Sequence, residues 1–431
     1  MGFSIKIEKQ SSKFVKPFVP TPSTLFHYKL GFIDELVPAA IDVGVVLFFS
    51  INSNNHNPNL FVQLERSLGK TLTQFYPLAG RYVDNTPSID CTDCGAEFIR
   101  AKVNIKLEDF LVSEGNAKFI DEFIPSKIGS TLQQSDPLLA AQVTTFECGS
   151  VAIGVSATHK IVDASTLSTL INEWAVTNRK GNEIESTGPH FNSSLLFPAR
   201  GLSSSPMQHM DSDILSKYTR KKLSFSESVI SSMKAKRNKL SPRRWSKVQI
   251  ASAIIWKTFV DADFAIHNFQ RESILIQPVN LRGKMASLIS KTSCGNLWGS
   301  CLTQCKTLDT TEELVDRLSD SVKKSVTNFS LGNHNQEEGQ AMVLNSLLNT
   351  KNIRESTNAV FLTSWCKFPF YEADFGFGKP IWAAPGMIPI NHSVYLMDDA
   401  EGNGVEAYVF LELKYVPFFE EALQQVNAFA T

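Results

Sequence analysis

An imidazole at the end of an apolar run is the residue best placed to do chemistry. His159-Lys160-Ile161-Val162-Asp163 follows directly on Val151-Ala152-Ile153-Gly154-Val155-Ser156-Ala157. A strand that ends on histidine, with an aspartate four residues on and then a helix, holds the ring at a sheet edge. A neutral imidazole has an unperturbed pKa near 6.5, so it can accept a proton at neutral pH. No serine or cysteine nucleophile signature stands beside it. The arrangement therefore suits a base acting on a hydroxyl that the substrate brings.

Asp163 has two readings. It could orient the imidazole as the third member of a triad does. It could equally tie down the turn through an arginine, which the needs of a tight strand-end turn favour. The other seven histidines sit in polar or loop-like contexts, with His392 the strongest of them.

A second unusual stretch is Tyr371-Glu372-Ala373-Asp374-Phe375-Gly376-Phe377-Gly378-Lys379-Pro380. Two glycines one residue apart, then proline, make a stiff loop. Asp374 is read as the charge that holds this loop and is grouped with His159 in the catalytic set. No P-loop or dinucleotide fingerprint is present.

The elements that position these residues can be traced along the chain. Leu60, Leu64, Leu68, Leu72 and Phe75 recur at helical spacing, and Pro77 stops that helix. Leu167, Leu170, Ile171 and Trp174 give the segment from Ala164 to about Val176 one apolar face. From Asn178 to Asp213, glycines, prolines and serines dissolve the pattern into a long connection. The second half restarts with a strand at 222–225, helices near 226–238 and 247–260, and a strand at 273–279. Thr310 with Glu313 forms a capping box before another helix. Strands at 359–365 and 404–413 and a closing helix from Pro417 complete it. Strand–helix alternation in both halves predicts two similar α/β layers.

Composition sets the outer limits. At 431 residues the length favours two or three domains. A net charge of -1 creates no field that would gather nucleic acid. There is no signal-peptide core or membrane-spanning run, so a cytoplasmic protein with no membrane partner is expected. The seven cysteines are scattered and odd in number. Cys91 and Cys94 form an isolated C-x-x-C, expected to be free thiols rather than a metal site.

The ordered set of motifs resembles the plant BAHD acyl-CoA-dependent acyltransferases. It comprises Tyr76-Pro77-Leu78-Ala79-Gly80-Arg81, His159 with Asp163, Asn280-Leu281-Arg282, Gly295-Asn296, Thr363-Ser364-Trp365 and Asp374 to Gly378. Phe377 stands where the family usually has tryptophan, and Ala164 where it has glycine. The resemblance implies an α/β fold of two chloramphenicol-acetyltransferase-like domains with a tunnel between them and His159 at its middle. The expected boundaries are 1–178 for the domain carrying His159, 179–213 for a crossover linker, and 214–431 for the domain carrying the glycine loop. It implies no permanent cofactor or metal, and a monomer is the default expectation. Acyl-CoA would be the co-substrate and a small-molecule alcohol the acceptor.

On this reading His159 is the general base, and Thr363 to Trp365 stabilise the oxyanion. Asp163, Arg282, Gly376 and Gly378 support the site, with a salt bridge expected between Asp374 and Arg282. Lys247, Ser252, Gly295 and Asn296 are the expected coenzyme A contacts. Lys234, Lys236, Arg237, Lys239, Arg243, Arg244 and Lys247 form either a solvated loop or an electropositive rim for the coenzyme phosphates. Within that family, Ala164 and the contexts Gln277 to Lys284 and Tyr371 to Asp374 resemble a branch that esterifies alkaloid alcohols and sucrose, which implies a sucrose ester as acceptor, with an alkaloid alcohol as the alternative. A hydrolase using His159 to activate water and a non-catalytic ligand-binding protein are the competing classes.

Overall fold

The computed structural model describes residues 5–430 apart from 52–57, 85, 114, 126–129, 131, 182–187, 205–211, 239–243, 286–287, 306–308, 333 and 388–389. The chain divides into two compact units. The first comprises Met1–Asp211, Thr292–Asn296 and Phe368–Pro389, and the second Ser212–Lys291, Leu297–Lys367 and Ile390–Thr431.

A six-stranded sheet organises the first unit, in the order Ile7–Val15, Ala96–Val103, Leu139–Thr145, Val151–Thr158, Asp42–Phe49, Trp382–Pro385. All pairs are antiparallel except Ala96–Val103 with Leu139–Thr145. Every residue of Val151–Thr158 is buried, as suits a central strand of valine, isoleucine and small residues. The helix Leu60–Gln74 ends where Pro77 requires, and the short turn Tyr76–Ala79 leads into the strand Arg81–Val83. Helix Ala164–Lys180 buries the predicted Leu167, Leu170, Ile171 and Trp174.

The second unit repeats the architecture. Its six strands run Tyr218–Phe225, Val405–Glu412, Ser393–Asp398, Asn358–Ser364, Ser273–Asn280, Trp298–Cys305. Helix Lys247–His267 lies in the middle of its apolar core, with Ile250, Ile254, Ile255 and Trp256 fully buried. Thr310 caps the helix Thr311–Leu331 through the predicted capping box, Glu313 returning the bond to the Thr310 N–H at 2.7 Å.

Two boundaries differ from the sequence reading. The glycine loop belongs to the first unit, because Trp382–Pro385 pairs with Asp42–Phe49 in its sheet. The stretch 179–213 is not a bare linker either. It carries the strand His190–Phe191, which pairs with Ser293–Cys294, and the short helix Ser193–Leu196. Pairing ignores chain order, and a two-residue strand has no periodicity to detect.

Candidate active site

His159 leaves the end of strand Val151–Thr158 with its backbone N–H donating to the Ile41 carbonyl at 2.9 Å. The ring is half-buried. Its Nδ1 lies 3.1 Å from Asn296 Oδ1. The Asn296 amide has only one sensible orientation. Its Nδ2 donates to Asp34 Oδ1 at 2.8 Å and to the His159 carbonyl at 2.7 Å, both of them acceptors. Oδ1 therefore faces the ring, and an amide oxygen can only accept. Nδ1 must carry the proton, which leaves the Nε2 lone pair open. Nε2 meets no hydrogen-bond partner among the described residues. Burial pushes the imidazole below its ordinary pKa, against the opposing pull of its own backbone, the Asp163 charge and Asn296.

Asp163 does not hold the ring. Its Oδ1 accepts the Thr166 N–H at 2.8 Å and so caps the helix Ala164–Lys180. Asp163 thus acts as a helix cap at the turn, where the sequence reading expected an arginine tie. Thr166 Oγ1 in turn accepts from the Gly295 N–H and donates to the Gly295 carbonyl, each at 3.1 Å. That clamp delivers Asn296 to His159.

Beneath the ring lie charges the sequence reading passed over. Asp34, in the short helix Phe32–Leu36, is buried, and its Oδ2 accepts the Gly31 N–H at 2.8 Å. Burial lifts its pKa to about 7, opposed by the Gly31 N–H, Asn296 and Lys160. Lys160 is also buried, its Nζ donating to the Asp34 carbonyl at 3.2 Å. Burial lowers its pKa. Asp34 interrupts an apolar stretch directly after Gly31, a signal that could have marked it. Nothing local marks the burial of Lys160.

Several expected roles change. Asn296 is wholly buried with its amide spent on His159 and Asp34, so it has no arm left for coenzyme A. Gly295 has φ +112°, and a Cβ there would sit 2.3 Å from Ser193 Oγ, so its glycine serves close packing. Lys247 spends its three ammonium donors on Asp398 at 2.7 Å and on the Gly402 and Gly404 carbonyls at 2.5 and 3.1 Å. Ser252 is wholly buried in helix Lys247–His267. Of the basic cluster, Lys239 and Arg243 lie outside the described residues.

Asp374, expected to pair with Arg282, spends both its oxygens on groups of its own unit. Its Oδ2 pairs with Arg179 at 3.1 Å, and its Oδ1 accepts from the Gly376 and Gly378 N–H groups at 2.8 and 3.1 Å. The loop rests on helix Ala164–Lys180, which brings Arg179 to the carboxylate, and Asn178 holds the Phe375 carbonyl at 2.7 Å. Arg282 bonds its near neighbour Asn280, through its backbone N–H at 3.0 Å and its Nη1 at 3.3 Å. Asp374 is therefore an anchor and not a catalytic group. Partial burial raises its pKa, but the two glycine N–H groups and Arg179 outweigh that and hold it below the ordinary range. Gly376 and Gly378 have φ of +102° and +104°, the left-handed region that favours glycine. Phe377 packs edge-on against Phe49 at 5.1 Å, filling the place of the family tryptophan.

Thr363 and Trp365 lie at the end of strand Asn358–Ser364 in the second unit. Trp365 is buried with its ring edge-on to Tyr395 at 5.8 Å. His392 is likewise buried there, between the rings of Phe259 at 5.0 Å and Tyr415 at 4.7 Å.

Residues 5–426 match the family model described as Transferase family. The chain is a BAHD acyltransferase. As such it is an acyl-CoA-dependent O-acyltransferase. Among BAHD relatives, it is 31% identical to a pelargonidin 3-O-(6-caffeoylglucoside) 5-O-(6-O-malonylglucoside) 4'''-malonyltransferase of Salvia splendens, over 97% of this chain and 99% of that one. It is 31% identical to vinorine synthase of Rauvolfia serpentina, over 94% of each chain. The crystal structure of vinorine synthase superposes with a TM-score of 0.83 at 28% identity, covering 96% of both chains. TRI101 of F. sporotrichioides, complexed with coenzyme A and T-2, shares the fold at a TM-score of 0.69 and 18% identity, covering 92% of this chain and 97% of that one. No helix among the described residues is long and apolar enough to cross a membrane.

Proposed function

We propose that the protein transfers an acyl group from acyl-CoA to a hydroxyl of a plant specialised metabolite, with His159 Nε2 as the general base. The observation that carries this reading is the Nδ1 contact with Asn296, which leaves Nε2 as the basic nitrogen. An alcohol is a weak nucleophile at neutral pH, so its proton must leave as its oxygen attacks the thioester carbonyl. Nε2 takes that proton, and such help is worth about 100- to 10,000-fold. The tetrahedral oxyanion collapses, the carbon–sulfur bond breaks, and the thiolate recovers the proton from the imidazolium. Oxyanion stabilisation is assigned to the Thr363 to Trp365 segment. Orientation of both substrates supplies further acceleration.

For the acceptor we propose a sucrose ester, on the contexts around Gln277 to Lys284 and Tyr371 to Asp374. The similarity to vinorine synthase and to stemmadenine O-acetyltransferase of Catharanthus roseus favours a second reading, an alkaloid alcohol. We further assign the protein to the cytoplasm as a monomer that needs no permanent cofactor.

The test incubates purified protein with acetyl-, isobutyryl- and longer acyl-CoAs against sucrose esters and alkaloid alcohols, following ester and free coenzyme A. Ester formation with acceptor-dependent coenzyme A release is expected. Equal release without any alcohol would make it a hydrolase, and no release with any pair would favour a binding protein.

A further inference from the structure

We propose that Asp34 is a positioning residue: by fixing the orientation of the Asn296 amide, it keeps the His159 proton on Nδ1 and Nε2 free. The inference rests on the base reading above and deepens it. Its observation is a run of three polar contacts inside one unit. Asp34 Oδ1 accepts from Asn296 Nδ2 at 2.8 Å, and Asn296 Oδ1 faces His159 Nδ1 at 3.1 Å. The third contact, Asn296 Nδ2 to the His159 carbonyl at 2.7 Å, ties the same amide to the backbone of the residue it orients.

Asp34 cannot rotate away from this duty. Its other oxygen holds the Gly31 N–H at the start of its own helix, and its backbone carbonyl holds the Lys160 ammonium. A buried carboxylate is costly to place and needs partners for both oxygens. Here each oxygen has one, and the partner of Oδ1 is the group that sets the ring proton. The arrangement matches the way outer partners fix the tautomer of a metal-bound histidine.

The chemistry predicts what an amide at position 34 would do. Asparagine offers one acceptor and one donor. If its oxygen keeps the Gly31 N–H, its NH2 turns towards Asn296 and donor meets donor. Rotation of the Asn296 amide relieves that clash and gives up its bond to the His159 carbonyl. It also points an NH2 at His159 Nδ1, which moves the ring proton to Nε2 and consumes the lone pair.

The experiment combines turnover with 15N NMR of the enzyme labelled at histidine. Asp34→Asn is expected to lower kcat by about 100-fold, the scale of lost general-base help, while the KM for acyl-CoA stays nearly constant. The His159 spectrum should change from the Nδ1–H to the Nε2–H tautomer. In an Asn296→Ala background the same substitution should leave kcat unchanged, because the two residues act in series. A kcat within about twofold of wild type, or a folded and slow variant that keeps Nδ1–H, overturns the proposal.

Should Asp34→Asn fail to fold, Asp34→Ala removes the acceptor without presenting a donor, so the Asn296 amide keeps only the His159 carbonyl to orient it. The His159 spectrum should then show both tautomers. A folded variant with Nδ1–H alone gives Asp34 a structural role and overturns the assignment. The tautomer readout is independent of turnover. Failure of the base reading would instead appear as activity retained in His159→Ala.

Discussion

Burial lowers the basicity of both His159 and His392, with opposite consequences. At His159 it favours the neutral ring that can take a proton, and Asn296 decides which nitrogen offers the lone pair. At His392 it serves only packing: the ring lies between Phe259 and Tyr415, and Nε2 has no partner. Its pKa falls to about 4, chiefly through burial and against the pull of Asp263 and Glu412. An unfolded chain takes up this proton near pH 6.5, and the native state only near 4. Stability from this residue is therefore whole above pH 6.5 and lost as pH falls towards 4, by about 3 kcal/mol. Urea unfolding of His392→Gln across that window should show a shallower loss than wild type; parallel losses would contradict the burial account. Residue type and local spacing placed His159 at a strand end, where the structure has it. They could not reveal that Lys247 is paired and Ser252 buried within their own unit, because burial and pairing arise only when distant segments meet.

Strands and helices carry the site through two staples. One is Asp163 capping the helix that follows His159, with Thr166 holding Gly295. The other is the glycine loop, pinned to the far end of the same helix by Asn178 and by Arg179 with Asp374. Replacing Asp374 with alanine strands two glycine N–H groups and a guanidinium. The expected loss is about 1–3 kcal/mol of stability, because the carboxylate is partly solvated. Thermal unfolding should shift down while kcat of the folded enzyme at low temperature stays close to wild type. A large fall in kcat with unchanged stability would return Asp374 to the chemistry. The periodic helices Leu60–Gln74, Ala164–Lys180 and Thr311–Leu331 were legible because each buries a regular face. Strand Ile7–Val15 was not, since nearly all its residues are exposed or half-exposed at a sheet edge.

Across the whole molecule, two six-stranded mixed sheets repeat one plan, and the alternation of strand and helix in each half announced it. What a linear reading missed is the exchange of segments. Thr292–Asn296 and Phe368–Pro389 lie late in the chain yet belong to the first unit. The first of them brings Asn296 to His159 and the second brings the glycine loop. Long-range pairings of this kind leave no local trace in composition or spacing. They are also why Asn296 and the Asp374 loop, far from His159 in the chain, share its unit, whereas Asn280 to Arg282 and Thr363 to Trp365 belong to the other. Ester formation should thus depend on one nitrogen held by a late segment. The most direct measurement is acceptor-dependent turnover of His159→Ala, with folding checked by circular dichroism and thermal unfolding. A folded variant whose kcat falls at least about 100-fold is the predicted result. A folded variant that still makes ester at close to the wild-type rate would contradict it.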